Sequence, residues 1–336
     1  MGGQAVEFYY DVRHVSILKM ITLSWLIDIL SIRVHSVNAV RVPPSASRMN
    51  WFICLRLSPS IEALAARTGA RVLWRPVLLG AIYRATNAPQ GAAGSASDVF
   101  NPTKKHVTGL AFQRTIKRLG IPHSQPPQHP VKTTAPLRLL YHASEARRPE
   151  LSKALFRAYW VEGQNVSLTS TLIDAIRRSS VPGADELIKA VESGSFESEA
   201  ERKQLEESTD LAVQRGTPGV PGFWVPHERW TDREGKQRTG RLYWGQDRMQ
   251  FLEAVLLANG DGKDLSSIST PLRSLEPRCE RKGIPYMEEC KLEFWYDFSS
   301  PWAFLGWTQL ARLQRQFGDR LQIEMKPFLL GILFRE

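Results

Sequence analysis

The sequence predicts an α/β fold. A strand–helix–strand half and a hairpin–helix half share one sheet, a helical block is inserted between the halves, and a truncated second strand–helix–strand unit closes the chain. Three observations carry this reading. Short alternating segments rich in aromatic residues read as strands. A long stretch between them has helical periodicity. Two strand motifs also recur in the same order near the other end of the 336 residues.

The repeats come first. Val6-Glu-Phe-Tyr-Tyr-Asp-Val12 matches Leu292-Glu-Phe-Trp-Tyr-Asp-Phe298. Trp74-Arg-Pro-Val-Leu-Leu-Gly-Ala-Ile-Tyr-Arg84 matches Met325-Lys-Pro-Phe-Leu-Leu-Gly-Ile-Leu-Phe-Arg335. Tyr10 answers Tyr296 and Pro76 answers Pro327, so the first copy is about 35 residues longer between its strands. In the second copy Ser299-Ser-Pro-Trp-Ala-Phe-Leu-Gly306 leads into a helix with Leu310, Leu313 and Phe317 on one face. In the first copy the interval lacks steady periodicity and holds Pro43-Pro44, so 13–60 reads as an irregular insertion.

The remaining elements follow in order. Strands are expected near 6–12, 70–76, 219–226 and 239–245, with a helical insertion at about 100–215. Leu151, Ala154, Leu155, Ala158 and Tyr159 form one apolar stripe behind Pro149, which suits a first helical turn. Leu168–Arg178, Ala184–Glu192 and Ser198–Arg215 also read as helices; Ser198-x-x-Glu201 is a capping box and Gly216 a stop. Gly219-Val-Pro-Gly-Phe-Trp-Val225 is a short strand with proline at its entrance. A polar turn from His227 to Thr239 follows, then a strand running through Trp244 into a helix bearing Phe251, Leu252, Val255 and Leu256. The segment 259–290 is rich in Gly, Ser and charge and reads as a linker between a first domain, 1–258, and the partial second unit, 291–336.

Composition narrows the function. Hydrophobic residues make up 43% and charged residues 23%, which excludes a collagen-like or disordered chain. Three cysteines, Cys54, Cys279 and Cys290, form no C-x-x-C pair and no disulfide framework, so an intracellular, reducing compartment is expected, with cytoplasm, mitochondrion and peroxisome left open. The apolar run from Met20 to Ile32 is broken by Asp28 and too short for a bilayer, so no membrane partner is expected. The seven histidines show no metal-ligand spacing, and the net charge of +10 is scattered over Lys104-Lys105, Arg147-Arg148 and Arg177-Arg178. Such scatter fits solvated helix faces, so neither metal nor nucleic acid is expected.

Four motifs bear on chemistry. Ser300-Pro301 follows a strand and opens a helix, where unpaired N–H groups and the dipole favour an anion. A hydroxyl there can donate to a thiolate; lowering a thiol pKa by about two units takes about 2.7 kcal/mol, within reach of one charge-assisted hydrogen bond plus the dipole. The plainer role of Ser300 is a helix cap. Val220-Pro221 introduces a strand, and Gly245-Gln-Asp-Arg248 opens the last helix. Arg75-Pro-Val-Leu-Leu-Gly80 is followed by Ala85-Thr-Asn87. Together these segments resemble the kappa-class glutathione transferases and the related 2-hydroxychromene-2-carboxylate isomerases, in the DsbA-like branch of the thioredoxin fold. The resemblance covers about 6–12, 61–258 and 291–336.

The resemblance implies a thioredoxin-like fold of DsbA/kappa type and glutathione as the cofactor. It implies a cis bond at Val220-Pro221, with the backbone of Val220 free to pair with the extended tripeptide. Gln246 and Asp247 are then expected to hold its γ-glutamyl end, with Asn87 and Lys104 or Lys105 as polar contacts and Ser300 as the catalytic residue. The expected partner is a small electrophilic or aromatic molecule, attacked by the thiolate to give a conjugate, or isomerised cis–trans by addition and expulsion. Relatives of this kind often dimerise, so a homodimer is an expectation. The first copy departs from the pattern. Val12-Arg13-His14-Val15-Ser16 stands where Ser-Pro belongs, and Ser58-Pro59 occurs far downstream, making Ser58 the alternative catalytic residue. One expectation is that 291–336 docks beside 217–258, in the same chain or in a partner chain, and lends Ser300. The rival is a non-catalytic scaffold of the same fold.

Overall fold

The computed structural model describes residues 5–12, 58–92, 94, 99–259 and 290–333. They fall into two compact units, the first holding the described residues up to 259 and the second those from 290 onward.

The first unit is built on four strands in the order β2-β1-β3-β4: β1 (Ala5–Tyr10), β2 (Arg71–Pro76), β3 (Gly222–Thr231) and β4 (Gln237–Trp244). β1 runs parallel to β2, from Ala5 opposite Arg71 to Tyr10 opposite Pro76. It runs antiparallel to β3, with Phe8 opposite Phe223, and β3 pairs antiparallel with β4. A strand buried on both faces is mostly apolar, and β1 is so except at Glu7, which is paired with Arg75 and Arg215. Val6, Phe8 and Tyr10 enter the main core, where Phe8 stacks on Phe223 at 5.4 Å and meets Trp74 edge-on at 5.1 Å. Tyr9 points the other way, into a second cluster with Val77, Leu79, Ile82, Tyr83 and Val220.

Helix α1 (Ser58–Thr68) lies between β1 and β2 in sequence, and α2 (Leu79–Ala85) follows β2. The helical block is α3 (Pro102–Leu119), α4 (Thr134–His142), α5 (Arg148–Trp160), α6 (Thr169–Arg177), α7 (Ala184–Ser193) and α8 (Glu199–Gln214). Asn101 caps α3 by accepting from Lys104 N, and Gly120 ends it in the left-handed conformation. Ser198 caps α8, accepting from Ala200 N. Polar ties fix the block to the sheet. The buried Arg148 donates to the carbonyls of Leu140 and Trp74 at 2.9 and 3.2 Å. Tyr141 donates to Pro76 O at 2.7 Å, and its burial pushes the phenol up to about 12. Tyr10 and Ser152 share a hydrogen bond of 2.6 Å.

The hairpin corrects the sequence reading. His227 to Thr239 is not one polar turn: β3 runs on to Thr231, β4 starts at Gln237, and Asp232 carries the turn, its carboxylate accepting from Glu234 N, Lys236 N and Arg238 Nε. Cross-strand contacts outweigh the polar composition. Arg241 stacks over Trp230 at 4.8 Å, and the buried Glu228 accepts from Tyr243 at 2.9 Å. The strand starts at Gly222, after the proline, rather than at Gly219. Of the expected insertion at 13–60, residues 58–60 already belong to α1, and the rest lies outside the described residues, as does the linker between 260 and 289.

The second unit comprises β5 (Cys290–Tyr296), α10 (Pro301–Phe317), β6 (Leu321–Pro327) and α11 (Leu330–Leu333), around a small core of Leu292, Phe294, Leu310 and Leu321. It repeats the first at atomic detail. Tyr296 faces Pro327 as Tyr10 faces Pro76. Phe328 N donates to Tyr296 O at 3.0 Å, as Val77 N donates to Tyr10 O at 2.9 Å. Asp297 accepts from Leu330 N at 2.6 Å, as Asp11 accepts from Leu79 N at 3.0 Å. β5 and β6 pair with each other in a sheet of their own.

Candidate functional site

The site in the first unit forms where the chain leaves α8. Arg215 and Glu7 fix this point. Arg215 Nη1 reaches Glu7 Oε1 at 2.9 Å, Arg75 Nε reaches Glu7 Oε2 at 3.1 Å, and the Arg215 guanidinium lies 4.7 Å over the Trp224 ring and bonds Tyr9 OH. Burial, seconded by the Glu7 charge, raises the Tyr9 phenol pKa against the pull of Arg215. Thr217 follows, fully buried, its Oγ1 without a hydrogen-bond partner among the described residues.

The chain then turns through a cis peptide bond at Val220–Pro221. Val220 packs its side chain into the Tyr9 cluster. Its backbone lies outside both ladders, because the pairing with β1 ends at Tyr9 opposite Gly222 and that with β4 at Gly222 opposite Trp244. The bend and the head of the last helix are joined directly: Gly245 N donates to Pro221 O at 2.9 Å. Gly245 adopts φ 99°, a value open to glycine, and swings the chain into a 3₁₀ turn, Gln246–Arg248, which continues as α9 (Met249–Asn259). The first hydrogen bond of the turn runs from Arg248 N to Gly245 O at 3.1 Å. The amides of Gln246 and Asp247 precede it, and such leading N–H groups are not satisfied by the helix itself. Asp247 sits inside the turn with Oδ2 3.1 Å from Arg248 Nη1.

These contacts bring together Val220, Pro221, Gln246 and Asp247. Asn87 is exposed at φ 50°, two residues beyond α2; its neighbour Ala88 packs on the cluster containing Val220, which puts Asn87 at the rim of that patch. Lys104 instead lies 4.3 Å over the Phe100 ring at the start of α3, and nothing ties Lys104 or Lys105 to the bend. Ser300 belongs to the second unit, so the catalytic candidate and the residues gathered at the bend fall on different compact bodies. Within its own unit Ser300 caps α10, Oγ accepting from Ala303 N at 3.2 Å, with Pro301 in the first turn. The Ser58 side chain lies outside the described residues. Counted back from Gly69 and Gly318, the glycines that end the two helices, Ser58 stands about two turns further along than Ser300.

Sequence reasoning missed Asp11, Glu7, Arg215 and Thr217 as supports of the site. Asp11 is fully buried and accepts from Leu79 N and from Thr133 Oγ1 at 3.2 Å, pinning α2 and α4 to the exit of β1. The signal for Asp11 was present: the Tyr-Asp pair recurs at Tyr296-Asp297. For Arg215 and Thr217 no sequence signal existed, because the partners of Arg215 lie about 200 residues away and Thr217 Oγ1 has none among the described residues. Among the described residues no group of three or more His, Cys, Asp or Glu could hold a metal, and no helix is long and apolar enough to cross a membrane.

Comparison with known proteins bears on this arrangement. The family model of the DsbA-like thioredoxin domain matches residues 53–257, more than half of the chain. Among solved structures, a 2-hydroxychromene-2-carboxylate isomerase is similar at 19% identity and a TM-score of 0.45, over 77% of this chain and 100% of that one. The cytosolic disulfide reductase DsbM from Pseudomonas aeruginosa is similar at 14% identity and a TM-score of 0.38, over 76% and 97%. A structure of DsbM with GSH gives 14% and 0.36, over 70% and 88%. No curated protein matches the chain at a significant level. With its strand–helix–strand and hairpin–helix halves on one sheet and a helical block between them, this chain belongs to the DsbA-like thioredoxin domain family.

Proposed function

We propose that the first unit binds glutathione along the Val220–Pro221 bend, and that the chain is a glutathione-dependent transferase of the kappa type acting on a small electrophile. The observation that carries this reading is the hydrogen bond from Gly245 N to Pro221 O, which sets the bend and the Gln246–Arg248 turn side by side. The residues fit the tripeptide. The unladdered backbone of Val220 can take an added strand. The leading amides of Gln246 and Asp247 suit a carboxylate, and the Asp247 carboxylate beside Arg248 suits an ammonium group. Glutathione supplies the thiol. In this reading a serine hydroxyl, that of Ser300 or alternatively Ser58, donates a hydrogen bond to the thiolate and the proton stays on the serine.

A second reading, a glutathione-binding scaffold that does not activate the thiol, is favoured by the sequence after Asp11, where Val12-Arg13-His14-Val15-Ser16 stands in place of Ser-Pro. A disulfide-exchange role is disfavoured, because no two cysteines stand in a C-x-x-C pair. Calorimetric titration with glutathione and turnover of chloro-dinitrobenzene separate the two readings. Binding with turnover that falls at least tenfold in Ser300→Ala supports the transferase. Binding without turnover leaves the scaffold, and no binding sinks both. Expulsion of the sulfur after addition gives cis–trans isomerisation instead of a conjugate, and product analysis distinguishes them.

A further inference from the structure

The segment that carries the Val220–Pro221 bend is closed at both ends on one side chain. At its start Arg215, the residue after α8, donates to Tyr9 OH, and its guanidinium lies 6.0 Å from the Tyr9 ring and 4.7 Å over the Trp224 ring. At its end Gly222 stands opposite Tyr9 in the β1–β3 ladder, so close that a Cβ there would lie 3.5 Å from Tyr9 Cβ. The start is also tied to α8: Gly216 N donates to Val213 O at 2.9 Å and Thr217 N to Ala212 O at 3.0 Å. The Thr217 methyl reaches across the segment, 3.4 Å from the place of a Gly222 Cβ. Between the two ends Pro218, Gly219 and Val220 make no main-chain hydrogen bond among the described residues. Their backbone is therefore placed by the two ends and by the Val220 side chain, which packs into the cluster of Tyr9 itself.

We propose that Tyr9 and Arg215 are positioning residues for the tripeptide: they hold the Val220 main chain where it can pair with an extended ligand. The inference rests on the glutathione reading and adds two residues that act on the ligand through the bend. General support of the fold is the lesser part of their role. Glu7 keeps Arg75 at 3.1 Å when Arg215 is lost, so its buried carboxylate is not stranded. The placement is harder to replace. One planar guanidinium meets Glu7 Oε1 at 2.9 Å, the Tyr9 hydroxyl and the face of Trp224 together, a geometry that an ammonium group does not reproduce. A bend released from this hold must be ordered again when the ligand pairs with it, and that ordering costs affinity.

Calorimetric titration of the full chain with glutathione tests it, alongside thermal melts of the same proteins. Arg215→Met is expected to raise the dissociation constant about tenfold. Arg215→Lys is expected to recover little of this, since the charge returns without the fork. Tyr9→Phe keeps the ring in its cluster and removes only the hydroxyl; a rise of about threefold is expected. Added to Arg215→Met it should change nothing further, because the hydroxyl acts through the guanidinium. Arg241→Met is the control. Arg241 also lies over a tryptophan, Trp230, and beside a buried glutamate, Glu228, but on the opposite face of the sheet. It is expected to lower the melting temperature and leave the glutathione constant unchanged. An unchanged constant in Arg215→Met, or in Tyr9→Phe, overturns the proposal. So does an equal rise in Arg241→Met, which would mark a general loosening of the sheet. No binding by the wild-type chain sinks the glutathione reading itself, and this inference falls with it.

Discussion

At the scale of single residues, the buried carboxylate of Asp11 matters more than its surroundings in sequence suggest. It holds Leu79 N and Thr133 Oγ1 in the interior. Asp11→Ala leaves two buried donors without an acceptor, and chemical denaturation is expected to show a loss of about 3 kcal/mol. Asn at the same position should restore part of that. At the bend, Asp247→Asn removes the charge offered to an ammonium group, and the dissociation constant for glutathione is expected to rise about tenfold in calorimetric titration. An unchanged constant would mean that Asp247 takes no part in holding glutathione. The motifs Val220-Pro221 and Gln246-Asp247 were legible in the sequence because each is short and local. Their adjacency was not, since it depends on Gly245 N reaching Pro221 O across the β3–β4 hairpin.

At the scale of elements, the hairpin shows how cross-strand packing sets strand ends. Gly240 sits at φ 82°, and a Cβ there would lie 2.2 Å from the Trp224 ring. Gly240→Ala is therefore expected to cost at least ~2 kcal/mol, read as a lowered denaturation midpoint with unchanged slope. In the helical block, burial lowers the pKa of His123, whose ring meets Phe112 edge-on at 5.1 Å and stacks on Trp160 at 5.7 Å. A folded pKa below the unfolded one means that the unfolded chain takes up the proton first. Stability should then fall as pH drops through about 6.5 and level off below the folded pKa. His123→Phe is expected to remove that part of the slope in melts between about pH 7 and pH 5. The helices of the block were readable from their apolar stripes, because amphipathic period is a local property. The length of β3 was hidden, because Arg241 over Trp230 and Tyr243 on Glu228 are contacts made only once two strands pair.

For the whole molecule, the duplication is the organising fact. The two halves of the repeat share register, the hydrogen bond at the strand exit and the aspartate on the following helix. Among the described residues the hairpin β3–β4 pairs with β1 of the first copy. Glutathione held by the first unit should stabilise the chain by mass action. At a hundred times its dissociation constant the unfolding free energy is expected to rise by about 2.7 kcal/mol, seen as a higher melting temperature. An unmoved melting temperature at millimolar glutathione would argue against the bend as its seat.

The amino-acid order alone determined the repeat, the α/β plan, the helical block and the short motifs, because periodicity, turn residues and self-similarity are written along the chain. Tertiary structure decided which motifs share a site. It joined the proline bend to the Gln246–Arg248 turn, recruited Glu7, Arg75 and Arg215 as their support, and set Ser300 in a second body with a sheet of its own. Such choices rest on contacts between residues far apart in sequence, and those exist only after the strands have found their neighbours.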